Sequence, residues 1–126
     1  MQNNKTILIV EDEADLVEVL TVFFKENGYK TIAAFDGHEG FQKAESERPD
    51  LITLDISMPG ESGIKMYRNL IHSDKTKDIP VIILTGAPSE LKTFIARMKS
   101  FPDPAGYLEK PVDRDALLTT VRGLIG

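Results

Sequence analysis

Four short apolar runs in this chain each end on a residue able to do chemistry. Thr6-Ile7-Leu8-Ile9-Val10 is followed by Glu11-Asp12, and Leu51-Ile52-Thr53-Leu54 by Asp55. Val81-Ile82-Ile83-Leu84 is followed by Thr85-Gly86, and Gly106-Tyr107-Leu108-Glu109 by Lys110-Pro111. Singly these are ordinary: two acids after a strand cap helices, Thr-Gly makes turns, and Lys-Pro is usually a surface turn. Together they are three carboxylates, a hydroxyl and an amine. In an open parallel sheet, ligands bind outside the carboxyl ends of the strands. If the first and third strands are neighbours, the acids crowd and raise one another's pKa. Lys110 offsets roughly one charge and a divalent cation roughly two more. Carboxylate oxygens with no His or Cys beside them suit Mg²⁺. A cation among acids, beside a lysine and a hydroxyl, is a site for phosphoryl transfer with a carboxylate as nucleophile.

These residues need a scaffold that ends its strands at one edge. Between the apolar runs lie amphipathic stretches. A helix is predicted over 14–27, with Leu16, Leu20 and Phe23 or Phe24 on one face and Gly28 as the stop. A weaker strand is predicted over 31–35, then a short helix after Gly37 with Phe41 and Ala44 inward. Residues 58–63 (MPGESG) predict a turn-rich loop, followed by a helix over 64–72. Another helix is predicted over 89–100, with Leu91, Phe94, Ile95 and Met98 on one face, broken by Phe101-Pro102-Asp103-Pro104. A last helix carries Leu117, Val121, Leu124 and Ile125, read as a core stripe. Strand and helix alternate five times, which implies parallel strands with right-handed crossovers and helices on both faces.

The 126 residues suit one α/β domain spanning 1–126, with residues 1–5 as a flexible tail and no room for an effector domain. Cysteine is absent, which excludes disulfides and thiolate metal sites and fits a cytoplasmic setting. No apolar run approaches membrane-spanning length. The net charge of −5, without a basic block, argues against direct nucleic-acid binding. His38 and His72 fall away from the strand ends and predict solvated surface roles, while Met58 and Met66 predict packing.

The segments ILIVEDE (7–13), LITLDISMPGESG (51–63), PVIILTG (80–86) and YLEKP (107–111) stand in one order. In that order and spacing the chain resembles the response-regulator receiver domains, to which the chemotaxis receivers belong. The resemblance implies a flavodoxin-like (βα)5 fold with strand order 2-1-3-4-5. It implies Asp55 as phosphoacceptor, Asp12 as a direct Mg²⁺ ligand, Glu11 acting partly through water, and the Ser57 main-chain carbonyl as a further ligand. Lys110 would pair with phosphoryl oxygens, Thr85 would hydrogen-bond one, Tyr107 would be the switch aromatic, and the bond before Pro111 would be cis. The implied function is a two-component phosphorelay receiver, a signalling module and not an enzyme. A sensor histidine kinase or phosphotransfer protein would supply the phosphoryl group. The face of the fourth helix, fifth strand and fifth helix would control an unidentified protein partner, with the chain a monomer or weak homodimer.

Two departures from the family stand out. The stretch 101–106 (FPDPAG) is rearranged where Gly-Ala is common, which affects the output face. Ser57 and Ala87 occupy positions that tune phosphoryl lifetime, and their small side chains predict a long-lived phosphoryl form. A rival of another class is a phosphatase of the dehalogenase type, which needs a second acid two residues after the nucleophile. That position is Ser57. A degenerate, partner-binding receiver conflicts with Asp55, Thr85 and Lys110. A flavin binder conflicts with the acids after the first strand.

Overall fold

The computed structural model describes residues 4–126. Residues 1–3 of the expected tail lie outside the described residues, and the Lys5 carbonyl already accepts from Lys30 N–H at 2.8 Å. The order is β1 (Thr6–Val10), α1 (Ala14–Glu26), β2 (Lys30–Ala34), α2 (Gly37–Glu47), β3 (Leu51–Asp55), α3 (Ser62–His72), β4 (Val81–Thr85), α4 (Pro88–Arg97), β5 (Gly106–Glu109) and α5 (Arg114–Ile125). The five strands form one parallel sheet in the order β2-β1-β3-β4-β5.

Both faces of the sheet are covered, which is why the central strands are apolar throughout. Alternate side chains go to opposite faces. Leu8, Val10, Ile52, Leu54 and Ile83 pack with Ala44, Met66, Leu70 and Phe94 of α2, α3 and α4. Ile7, Ile9, Leu51, Ile82 and Leu84 pack with Val17, Leu20, Phe24, Leu117 and Val121 of α1 and α5.

Four expected details differ. β2 runs one residue earlier than 31–35 because Phe35 leaves the ladder: its N–H donates to Glu39 Oε1 at 2.7 Å as α2 begins. The 58–63 loop contains a 3₁₀ turn, Pro59–Glu61, with Gly60 at φ 69, a left-handed conformation that suits glycine, and α3 starts already at Ser62. α4 stops at Arg97, and Ile95 is 51% exposed. Phe94 and Met98, four apart, hold the inner face, and a residue directly beside Phe94 in sequence points elsewhere. In α5, Leu117 and Val121 are fully buried, but Leu124 in the final turn is 40% exposed. His38 and His72 are exposed, and Met58 and Met66 are buried.

The rearranged stretch before β5 is tied down at two points. The Tyr67 hydroxyl of α3 donates to the Pro102 carbonyl at 2.9 Å, and Ala105 N–H donates to the Val81 carbonyl at 2.9 Å. Phe101 packs on the α2–α4 side of the core and meets the His72 ring edge-on at 5.4 Å between centroids.

Candidate functional site

Strand register assembles the site. Val10 pairs with Leu54, so the next residues, Glu11 and Asp55, stand side by side at the carboxyl edge. The ladders continue past the strand ends: Ile56 N–H donates to the Leu84 carbonyl at 3.0 Å, and Lys110 N–H to the Thr85 carbonyl at 2.8 Å. α3 closes against this edge through Gly63, where a Cβ would fall 2.7 Å from the Asp55 carbonyl oxygen. Only glycine permits that approach.

Carboxylate oxygens of Glu11, Asp12 and Asp55 lie within 4.8 Å of one another. Glu11 and Asp55 are buried and Asp12 is exposed. Lys110 reaches between them, with Nζ 2.8 Å from Glu11 Oε1, 3.0 Å from Asp55 Oδ2 and 3.7 Å from Glu13 Oε1. The other Asp55 oxygen, Oδ1, accepts from Ser57 N–H at 2.8 Å. Burial pushes the Glu11 carboxyl up to about 7; Lys110 opposes this, while Asp55 adds to it. Burial alone would lower the Lys110 ammonium, but its bonds to Glu11 and Asp55 outweigh that and hold it above the ordinary lysine value.

Thr85 is buried, and its hydroxyl donates to the Ala87 carbonyl at 3.1 Å, within its own turn. Tyr107 is 38% exposed and meets the Phe94 ring edge-on at 6.2 Å. The Lys110–Pro111 bond is cis. So Glu11, Asp12, Asp55, Ser57 and Lys110 converge, whereas Thr85 and Tyr107 lie along β4 and β5 behind them.

Sequence reasoning missed two acids. Glu13 is the outer partner of Lys110. Glu90, from the first turn of α4, accepts from the Ser57 hydroxyl at 2.6 Å. That carboxylate lies against Ser57, a long acid that the reading of Ser57 and Ala87 as small side chains did not include.

Residues 7–122 match the family described as the response regulator receiver domain. The chain belongs to this family. The receiver is 34% identical over 119 residues to PilH of Pseudomonas aeruginosa, covering 94% of this chain and 96% of PilH. It is 31% identical over 121 residues to the phosphate regulon regulator PhoB of Escherichia coli, covering 96% of this chain and 52% of PhoB, so it spans about half that protein. Among solved structures, the Vibrio cholerae chemotaxis protein CheY4 superposes with a TM-score of 0.83 at 26% identity, covering 96% of this receiver and 98% of CheY4. The receiver domain of Francisella response regulator 1452 superposes at 0.80 with 32% identity, covering 97% of each chain. Receiver domains are signalling modules of two-component systems, phosphorylated by histidine kinases and acting on downstream partners. A similar stretch also makes up 17% of the sensor kinase/phosphatase CqsS of Vibrio cholerae, at 31% identity and 95% coverage of this chain, so the likeness does not fix an output.

Proposed function

We propose that this receiver accepts a phosphoryl group on Asp55 from the phosphohistidine of a sensor kinase or phosphotransfer protein, in the cytoplasm. The observation that supports this best is the convergence on Asp55: Ser57 N–H on one oxygen, Lys110 on the other, Glu11 alongside. An Asp55 oxygen attacks phosphorus, the bond to the donor imidazole breaks, and the ring leaves with the electron pair and takes up a proton. Lys110 stabilises charge gathering on the phosphoryl oxygens, and Ser57 N–H fixes the orientation of the carboxylate.

The donor set fits a magnesium ion. Three clustered carboxylates face one lysine, an excess of negative charge that a divalent cation would offset. Glu11, Asp12, Asp55 and the Ser57 main-chain carbonyl would hold Mg²⁺, which would supply that charge to the phosphoryl oxygens.

Thr85 and Tyr107 form the proposed switch. On phosphorylation the Thr85 hydroxyl leaves the Ala87 carbonyl for a phosphoryl oxygen, and Tyr107 moves from its exposed position into the space behind it. The α4-β5-α5 face then changes toward an unidentified protein partner. Among the described residues no helix is long and apolar enough to cross a membrane. The dehalogenase-type phosphatase stays disfavoured, because Ser57 supplies no acid and steady hydrolysis of a chromogenic phosphate monoester is not expected.

The test is uptake from acetyl phosphate with Mg²⁺, read by intact mass. One phosphoryl addition is expected in the wild type and none in Asp55→Asn. Equal labelling of both proteins would refute Asp55 as the acceptor.

A further inference from the structure

On the side of Asp55 away from Lys110 lies a group of hydrogen bonds that the proposed reaction does not use. The Ser57 hydroxyl donates to Glu90 Oε2 at 2.6 Å. Gly86 N–H is shared between Ser57 Oγ at 3.1 Å and Glu90 Oε2 at 3.3 Å. Ser57 N–H meanwhile holds Asp55 Oδ1 at 2.8 Å. Glu90 thus joins three segments: the turn after β3, the turn after β4, and the first turn of α4. Register explains the meeting, since Asp55 pairs with Leu84 and the next two positions bring Ser57 opposite Gly86.

The ordinary explanation for an acid at this place is helix capping. α4 begins after Ala87, which offers no side-chain cap, and Glu90 is its third residue. In a capping box such an acid reaches back to the N–H of the capping residue. Glu90 instead bypasses Ala87, bonding Gly86 and a hydroxyl 33 positions away. The separation of 2.6 Å is in the charge-assisted range for a hydroxyl on a carboxylate. Capping accounts for part of the Gly86 bond and for none of the Ser57 bond.

We propose that Glu90 is a positioning residue of the Asp55 site: in the resting receiver its carboxylate occupies the Ser57 hydroxyl and the Gly86 amide, and an arriving phosphoryl group must displace it. This rests on Asp55 being the acceptor. A phosphoryl group on Asp55 brings three acceptor oxygens and roughly one to two negative charges beside these donors. Those oxygens compete for the same N–H and O–H groups, and their charge opposes that of Glu90. The contact therefore favours the unphosphorylated arrangement over the phosphorylated one, and it acts on the segment from Thr85 to Ala87 that the switch must move. Glu90 slows phosphoryl uptake and sets the resting bias of the receiver.

The experiment measures initial rates of phosphoryl uptake from acetyl phosphate with Mg²⁺, by intact mass, at low and high salt. Glu90→Gln keeps the reach and removes the charge, whereas Glu90→Ala removes the contact altogether. Both variants should take up the group about threefold to tenfold faster than wild type at low salt, the scale of one charge-assisted hydrogen bond. The advantage of Glu90→Gln should shrink at high salt. A capping role alone would lower Tm and leave the rates within about twofold of wild type, and that result overturns the proposal. If Glu90→Ala folds poorly, Glu90→Gln carries the test. Asp55→Asn is run beside them. Labelling that survives it defeats the acceptor assignment, whereas Asp55-dependent labelling at wild-type rate in both Glu90 variants defeats the Glu90 proposal alone.

Discussion

In the metal-free receiver, ionising Glu11 should cost stability, and Glu11→Gln should remove that cost. The folded Glu11 carboxyl titrates at about 7 against an ordinary 4.5, with burial as the main cause. A carboxyl raised on folding stabilises the native state fully below the unfolded value and loses that contribution as pH rises through the folded one. The native chain therefore holds a proton that the unfolded chain has released between about pH 4.5 and 7. Unfolding free energy should fall by ~1.4 kcal/mol per pH unit across that window. The full drop is ~3 kcal/mol, an upper figure because Lys110 shares the interaction. Against a typical total of ~5–15 kcal/mol this is large. The assay is urea unfolding with chelator present, at several pH values from 5 to about 9, for wild type and variant. Glu11→Gln should be flat where wild type slopes downward, and the two curves should diverge with rising pH. Parallel curves would refute the claim that Glu11 is held protonated by its surroundings.

The remaining predictions concern the cation and the switch. Because Glu11 must lose its proton to serve as a ligand, stabilisation by Mg²⁺ should grow as pH rises through about 7, the opposite slope to the metal-free chain. At a hundredfold excess over Kd that stabilisation should reach ~3 kcal/mol in wild type, and Asp12→Ala should remove most of it; an unchanged thermal shift would place the cation elsewhere. With beryllofluoride and Mg²⁺ as a phosphoryl stand-in, amide and Tyr107 ring NMR shifts should change together in α4 and β5. Thr85→Ala should still bind the mimic but show reduced remote shifts, and full-sized shifts would break the proposed coupling.

Much of the site was legible because parallel strands with both faces covered leave chemistry to their carboxyl ends. The apolar runs 7–10, 51–54 and 81–84 could be read as central strands, and the residue after each was then a candidate. Glu90 could not be found this way. In sequence it is a first-turn helix acid, like Asp115 in α5 and like Glu39 in α2, whose carboxylate serves its own helix end by accepting from Phe35 N–H. Only the β3–β4 register, which brings Ser57 beside Gly86, gives Glu90 a distant partner. Helical spacing has a similar limit. It assigned Phe94 and Leu117 to the core, but not whether a neighbouring element extends far enough to cover Leu124. It also could not separate Ile95 from Phe94, because positions 91, 94, 95 and 98 form one helical stripe and only the neighbouring elements decide which edge of it is covered. The start of β2 was missed because Lys30 is charged and exposed, yet its N–H pairs with the Lys5 carbonyl. Backbone pairing at a sheet edge leaves no mark on side-chain pattern.

The position of Lys110 bears on how the site could reach the output face. β5 does not border β3; β4 lies between them. Lys110 must therefore cross the end of β4 to touch Asp55 and Glu11, while its own N–H is bonded to the Thr85 carbonyl at 2.8 Å. Thr85 thus stands between the two partners of the central ion pair, and Glu90 and Gly86 hold the turn just beyond it. A shift of Thr85 toward Asp55 would strain its bond to Lys110 unless the end of β5 follows. Tyr107 is three residues back along that same strand, against Phe94 of α4. The physical requirement for coupling is an element with two arrangements that both sites bias. The Thr85 hydroxyl has two such acceptors in this proposal, the Ala87 carbonyl at rest and a phosphoryl oxygen afterwards. The strength of the switch then depends on how firmly Glu90 holds the first arrangement, so Thr85→Ala and Glu90→Ala should be non-additive in the Tyr107 shifts. Additive effects in that double-mutant cycle would mean that the two residues act on Tyr107 by separate routes.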